Sequence, residues 1–254
     1  MKLSAVVITY NEERNIGRCL DSLLPVADEI VVLDSNSTDQ TVAIAESRGA
    51  KVYLQSFLGY VEQKNRALEL ASHDLVLSLD ADEALDEKLT QSILAAKQES
   101  PGSAYSMNRC TWYCDRFIKH GSWYPDRKIR LFNKTQARWA GDNPHDHIVV
   151  DAGIPVKHLA GDILHYSYYS IEEHVAQNNK FSTISADALV KRNKKATAAG
   201  LVFRPFWAFL KGYFFKAGFL DGFHGFVVAV NSAHLTFLKY AKLYRKQNEN
   251  AASS

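Results

Sequence analysis

Residues 75–83 read LVLSLDADE. With Asp74 in front, this is an apolar run of strand length that turns acidic within one residue of its end. A continuous apolar run, without polar alternation, fills the middle of a parallel sheet covered on both faces. The switch to Asp80, Asp82 and Glu83 then marks the carboxyl end of a strand, where open α/β sheets bind their ligands. Working outward, Leu3–Thr9 (LSAVVIT) is a second such run and ends in Thr9-Tyr10-Asn11-Glu12. Glu29–Leu33 is a third and ends in Asp34-Ser35-Asn36-Ser37-Thr38-Asp39. Between the runs the spacing predicts helices. One covers Glu13–Leu24 and is stopped by Pro25. A second is capped by Ser37 or Thr38 and runs to Arg48, with Gly49 as its C-cap. Two more cover Tyr60–Ala71 and Asp86–Lys97, and Lys51–Leu54 adds a further strand. Strands alternating with helices of about a dozen residues predict an α/β fold, a mostly parallel Rossmann-like sheet with helices on both faces.

From Ala104 to Tyr169 short strands rich in aromatics and arginine predict a mixed or antiparallel extension of that sheet. Ser170 caps a polar helix running to about Lys195. Residues 191–254 hold 11 Lys and Arg against 2 Asp and Glu, whereas residues 1–190 hold 19 against 26. A basic tail on an acidic body is the pattern of a chain that meets an anionic partner. The expected organisation is a catalytic domain over 1–195 and a basic, aromatic-rich helical tail over 196–254. No stretch of that tail reaches the ~20 apolar residues that span a bilayer. Met1-Lys2 leads straight into a strand, so no signal peptide is expected and the chain is expected to stay inside. The three cysteines, Cys19, Cys110 and Cys114, form no disulfide framework and suit a reducing compartment. Cys110 and Cys114 lack the second pair that a zinc site needs.

Three strand ends thus direct carboxylates at one edge of a sheet. Such groups repel unless a cation or hydrogen-bond donors hold them, so a hard divalent metal, a polyhydroxylated ligand, or both are implied. In an extended Asp80-Ala81-Asp82 segment the two carboxylates point to opposite sides. One can therefore meet a metal while the other reaches a ribose hydroxyl.

TYNE at Thr9–Glu12, DSNSTDQT at Asp34–Thr41, QKN at Gln63–Asn65 and LDADE at Leu79–Glu83 occur in an order and spacing that resembles the family 2 glycosyltransferases. The resemblance implies the GT-A fold and a nucleotide-sugar donor of the UDP type. It places Glu12 and Asp34 near base and ribose, Asp80 near ribose or donor sugar, and Asp82 on Mg²⁺ or Mn²⁺ bridging the diphosphate. Thr9, Tyr10, Asn11, Ser35, Ser37, Asp39 and Ala81 complete the expected donor site. Lys64 is either a neutraliser of phosphate charge or a structural partner of the acidic loop. Arg127 and Arg130 flank a strand ending near the same edge and are expected on phosphate, with covering the strand as their plainer role, and His145 and His165 are expected beside the metal or on the diphosphate. RLF at Arg130–Phe132, NPHDHI at Asn143–Ile148 and ILHYSYYS at Ile163–Ser170 look like the lipopolysaccharide inner-core glucosyltransferase subgroup, with His145-Asp146 where that subgroup shows His-Glu. Asp146 is the candidate base for an acceptor hydroxyl, and direct attack inverts the anomeric centre, as the resemblance also implies. A salt bridge or turn with Arg138 or His147 is the plainer role for Asp146.

The tail, with Phe203, Phe206, Trp207, Phe214 and Phe215 beside Arg204, Lys211 and Lys216, suits an in-plane helix on anionic lipid. A helical hairpin packed on the catalytic domain or on a second subunit, giving a homodimer, is the alternative. The expected location is cytoplasmic, peripheral at the inner face of the plasma membrane, with a lipid-linked or lipopolysaccharide-type acceptor. Nucleic acid is not an expected partner, because phenylalanines so mixed with aliphatics make no stacking surface. A nucleotidyltransferase would need a glycine-rich phosphate loop after the first strand, and Tyr10–Gly17 holds one glycine. A non-catalytic sugar-nucleotide sensor differs from a transferase in turnover alone.

Overall fold

The computed structural model describes residues 1–98, 102–141 and 146–252. The first half alternates as the apolar runs require. β1 (Leu3–Thr9), β2 (Glu29–Asp34), β3 (Lys51–Leu54) and β4 (Leu75–Asp80) pair in parallel in the order β3-β2-β1-β4. The helices between them are α1 (Ile16–Leu23), α2 (Thr41–Ser47) and α3 (Tyr60–Leu70). Because side chains alternate across a strand, each run feeds two cores. Leu3, Ala5, Val7, Val32, Leu77 and Leu79 pack with Leu20 and Leu23 of α1 and with Leu89 and Ile93 of α4 (Glu87–Ala96). Val6, Val31, Leu33 and Val76 pack on the other side with Ala67 and Leu68 of α3. Register sets the acidic ends level, with Thr9 beside Asp34 and Ile8 beside Asp80.

The second half is antiparallel, as its short strands suggested. β5 (Glu83–Leu85), β6 (Ala104–Tyr113), β7 (Arg116–Ile118), β8 (Asp126–Asn133) and β11 (Val156–Tyr168) extend the sheet beyond β4 in the order β8-β6-β11-β5, with β7 paired to β6. β9 (Ala137–Ala140) and β10 (His147–Val150) form a separate antiparallel pair. β5 was not expected. It pairs Glu83 with His165 of β11 and so brings a distant histidine to the LDADE end.

Two helix starts differ from expectation. α2 begins at Thr41 and not after Ser37 or Thr38. The Ser37 hydroxyl is taken up by Asp34 and by the backbone N–H of Asn11, and the Asn11 side-chain oxygen accepts from the backbone N–H of Thr38 at 2.8 Å. α1 begins at Ile16 because Glu12 and Glu13 are engaged in the same loop pairing. Ser170 caps α5 (Ile171–Lys191) by accepting from Glu173, as expected.

The chain divides into two compact units, Met1–Cys110 with Asp126–Tyr166, and Thr111–Pro125 with Ser167–Ser254. This groups α5 with the tail. In the second unit the tail is two helices, α6 (Ala198–Leu210) and α7 (Gly222–Ala252), joined through a π-helical turn and a 3₁₀ turn. α7 packs on both α5 and α6. Gly218 and Gly225 permit the close turn, since a Cβ on either would collide with the backbone oxygen of Gly212 or of Gly218. Among the described residues no helix is long and apolar enough to cross a membrane.

Candidate active site

The level strand ends of β1, β2 and β4 open into a cleft of about 610 Å³. Thr9, Tyr10, Glu12, Ser35, Asp80, Ala81, Asp82 and His165 line it, together with Ile8, Phe57 and Tyr60. Asp82 Oδ2 lies 3.2 Å from His165 Nε2, which reaches it through the β5–β11 pairing. A carboxylate and an imidazole at this separation are a donor pair suited to Mn²⁺ or Mg²⁺, with the remaining positions left to ligand oxygens and water. Among the described residues no group of three or more His, Cys, Asp or Glu side chains that could hold a metal ion is assembled. Burial pushes the Glu12 carboxyl up; the hydrogen bond from Asn15 opposes this, and Asp82 and Asp39 add to it.

The residues after β2 build the wall behind the cleft. Asp34 is fully buried and its carboxylate accepts from the backbone N–H of Ser37 at 2.7 Å and from the Ser37 hydroxyl. Asp39 accepts from Glu13 N–H and from Thr41, and Thr41 in turn accepts from Glu12 N–H at 2.7 Å. Asn11, Asp34, Ser37 and Asp39 therefore fix the loop and do not line the cleft. Short polar side chains that bond to nearby backbone make such loops rigid without regular structure.

Asp80 also forms part of a second cavity of about 320 Å³, beside the first, where Lys64, Arg130 and Asp146 are found. Lys64 is buried, with Nζ 2.7 Å from Asp146 Oδ2 and 3.0 Å from Asp80 Oδ1. Arg130 spans Asp80 at 3.3 Å and the fully buried Glu83 at 3.2 Å. Arg109 connects Glu83 to Asp126. Both Lys64 and Arg130 lie over the ring of Trp139, at 4.3 and 4.9 Å. Burial acts to raise the Asp80 carboxyl, but the charges of Lys64 and Arg130 outweigh it and hold Asp80 well below the usual carboxylate range. Glu83 and Asp80 likewise outweigh burial and raise Arg130.

The expected residues thus fall into three sets: those lining the cleft at the strand ends, those shaping its loop, and Lys64, Arg127, Arg130 and Asp146 in the adjoining cavity. The ion-pair partner of Asp146 is Lys64, not Arg138. His145 lies outside the described residues. Sequence reading missed Phe57 and Tyr60, whose rings meet edge to face at 5.1 Å beside the cleft, and Arg109; it read Glu83 as part of the acidic strand end but not as the carboxylate that pairs with both Arg130 and Arg109. The exposed aromatic at the start of α3 was the available signal for Tyr60.

The profile of the glycosyl transferase family 2 matches residues 4–160. The chain belongs to that family, and is a glycosyltransferase. It is 31% identical over 255 residues to the lipopolysaccharide core biosynthesis glycosyltransferase LpsC of Rhizobium meliloti, covering 97% of this chain and 93% of that protein. An uncharacterized glycosyltransferase of Rickettsia typhi is 37% identical over 253 residues, covering 95% of this chain and 86% of its own length. Among solved structures, glucosyl-3-phosphoglycerate synthase from Mycobacterium tuberculosis with Mn²⁺, UDP and glucosyl-3-phosphoglycerate matches with a TM-score of 0.37 and 27% identity over 44% of each chain.

Proposed function

We propose that the chain is an inverting, metal-dependent transferase that moves a sugar from a UDP-sugar to a hydroxyl of a glycolipid of the lipopolysaccharide core, at the inner face of the plasma membrane. The observation that carries this reading is the pairing of Asp82 with His165 at the same cleft edge as Asp80 and Glu12. The Rhizobium relative, similar over nearly the whole chain, supports the acceptor class.

In this reading Thr9, Tyr10, Glu12 and Ser35 take the nucleoside, with Phe57 and Tyr60 offering apolar faces to the base. Asp80 turns a hydrogen-bond acceptor to ribose or sugar hydroxyls and is held by Lys64 and Arg130. Asp82 and His165 would hold Mg²⁺ or Mn²⁺, which supplies positive charge to the leaving diphosphate. Asp146, fixed by Lys64, accepts the proton of the acceptor hydroxyl as its oxygen bonds to the anomeric carbon. The bond from that carbon to the donor phosphate breaks, UDP departs with the electron pair, and the configuration inverts.

The tail supports a surface location. Phe203, Phe206, Trp207, Phe214, Phe215 and Phe223 are all exposed, and no residue of α6 is buried within the chain. Exposed Arg204, Lys211 and Lys216 among them, with Lys191, Arg192, Lys194 and Lys195 before them, suit an anionic headgroup layer.

A screen of nucleotide sugars for Mn²⁺-dependent hydrolysis and for transfer to lipopolysaccharide core acceptors tests the reading. Asp146→Asn should lose roughly 10² to 10⁴ in transfer rate while UDP affinity holds. Transfer at the wild-type rate would remove Asp146 as base, and absence of any turnover would favour a sensor.

A further inference from the structure

The second cavity has a charge balance that the donor does not use. Five of its lining side chains are cationic, Lys64, Arg109, Arg127, Lys128 and Arg130, against two carboxylates, Asp80 and Asp146. Four of the five are neutralised within the protein: Lys64 by Asp80 and Asp146, Arg130 by Asp80 and Glu83, and Arg109 and Lys128 by Asp126. Arg127, exposed on β8, makes no ion pair with any described residue. Two buried N–H donors of the lining, Arg130 Nε and Trp139 Nε1, also have no hydrogen-bond partner among the described residues. Both donors are shielded from the cavity itself, so it is the surplus guanidinium of Arg127 in an otherwise neutralised lining that suits an acceptor-rich, negatively charged group.

We infer that this cavity is the acceptor subsite and that it selects an acceptor sugar bearing an oxyanion, a phosphate or a carboxylate, which Arg127 binds with Lys128 beside it. This rests on the donor reading of the adjoining cleft. Asp80 lines both cavities, so an acceptor here lies next to the donor sugar, with its hydroxyl at Asp146. Guanidinium meets phosphate or carboxylate through paired N–H donors, and that geometry suits one fixed oxyanion better than a neutral hydroxyl array. The leaving diphosphate is the competing occupant, since it is also anionic.

Isothermal titration of glucose 6-phosphate, glucuronate and glucose, with and without saturating UDP and Mn²⁺, decides the matter in the wild type, in Arg127→Gln and in Arg127→Gln with Lys128→Gln. The expected result is that at least one oxyanion sugar binds the wild type about tenfold or more tightly than glucose. That preference should fall by about tenfold or more, towards equal binding of the sugars, in the variants with UDP affinity unchanged. The arm that prevails tells phosphate from carboxylate. Equal binding of all three sugars, or none by any, overturns the inference, as does a matching loss of UDP affinity, which would give Arg127 to the diphosphate. Should UDP fail to bind the wild type, the donor reading falls on its own, and the arms without UDP still judge the oxyanion preference. Arg127 is exposed, so the single variant is expected to unfold at the wild-type temperature and remains interpretable if the double variant does not fold.

Discussion

Lys64 shows how single residues set this site. It is 4% exposed, and its charge is tolerable there because Asp146 and Asp80 stand at 2.7 and 3.0 Å. Replacing it by methionine removes a cation from between two carboxylates. Lys64→Met is expected to lower stability by about 1 to 3 kcal/mol, less than for a fully buried pair because Asp80 is 26% exposed. Urea unfolding would check this; an unchanged midpoint would mean that water already screens the cluster. Lys64 contacts Asp80 and Asp146, as a structural partner of the acidic loop does. The acidic strand ends at Asp80 and Asp82 were legible, because an apolar run that turns acidic within one residue marks where a buried strand leaves the sheet. Glu83 was read as part of the same loop. Its burial against Arg109 and Arg130 was not legible, because those partners come from strands 26 and 47 residues away.

At the scale of elements, Glu29 ties three strands at the end of the sheet opposite the site. Its carboxylate accepts from Ser4 of β1, from Lys51 of β3 and from Ser72 ahead of β4. Burial acts to raise its carboxyl, but these hydrogen bonds outweigh it and bring it down to about 2 from the usual 4.5. A lowered folded-state value stabilises the protein above pH ~4.5, and that contribution fades as pH falls from there towards ~2. Each tenfold change in proton affinity is worth roughly 1.4 kcal/mol, which gives about 3.5 kcal/mol in full, and solvent screening of the exposed Lys51 partner brings the expected gain to about 2 to 3 kcal/mol at neutral pH. Glu29→Gln should lower the melting temperature at pH 7 and flatten its fall below pH 4.5. An unaltered acid profile would assign acid sensitivity to other carboxylates, Asp80 among them. Gly161, at φ +105°, lies where a Cβ would collide with the Leu89 backbone at the start of α4. Gly161→Ala is therefore expected to cost more than the ~1 kcal/mol of an ordinary glycine replacement, read as a loss in melting temperature. Helix and strand placement in the first half followed from periodicity. The true start of α2 did not, because Ser37 and Thr38 have capping chemistry but spend it on Asp34 and Asn11.

For the whole molecule, the charge asymmetry between body and tail was legible in composition, whereas the two-helix course of the tail depended on glycines whose tight approaches appear only in three dimensions. The exposed aromatics give a direct test. Phe206→Ser with Phe215→Ser should leave thermal unfolding unchanged within about 0.5 kcal/mol, since both are exposed, and should reduce flotation with vesicles rich in anionic lipid. Equal flotation of wild type and variant would remove the lipid surface as the partner of this face. The donor cleft is the feature on which the rest depends. Its most direct test is calorimetric titration of UDP with and without Mn²⁺, in the wild type and in Asp82→Asn. Binding in the micromolar range with Mn²⁺, weakened at least about tenfold by omitting the ion or by the substitution, is expected. The same affinity in all four titrations, or no binding in any, would contradict a metal-assisted nucleotide-sugar site at these strand ends.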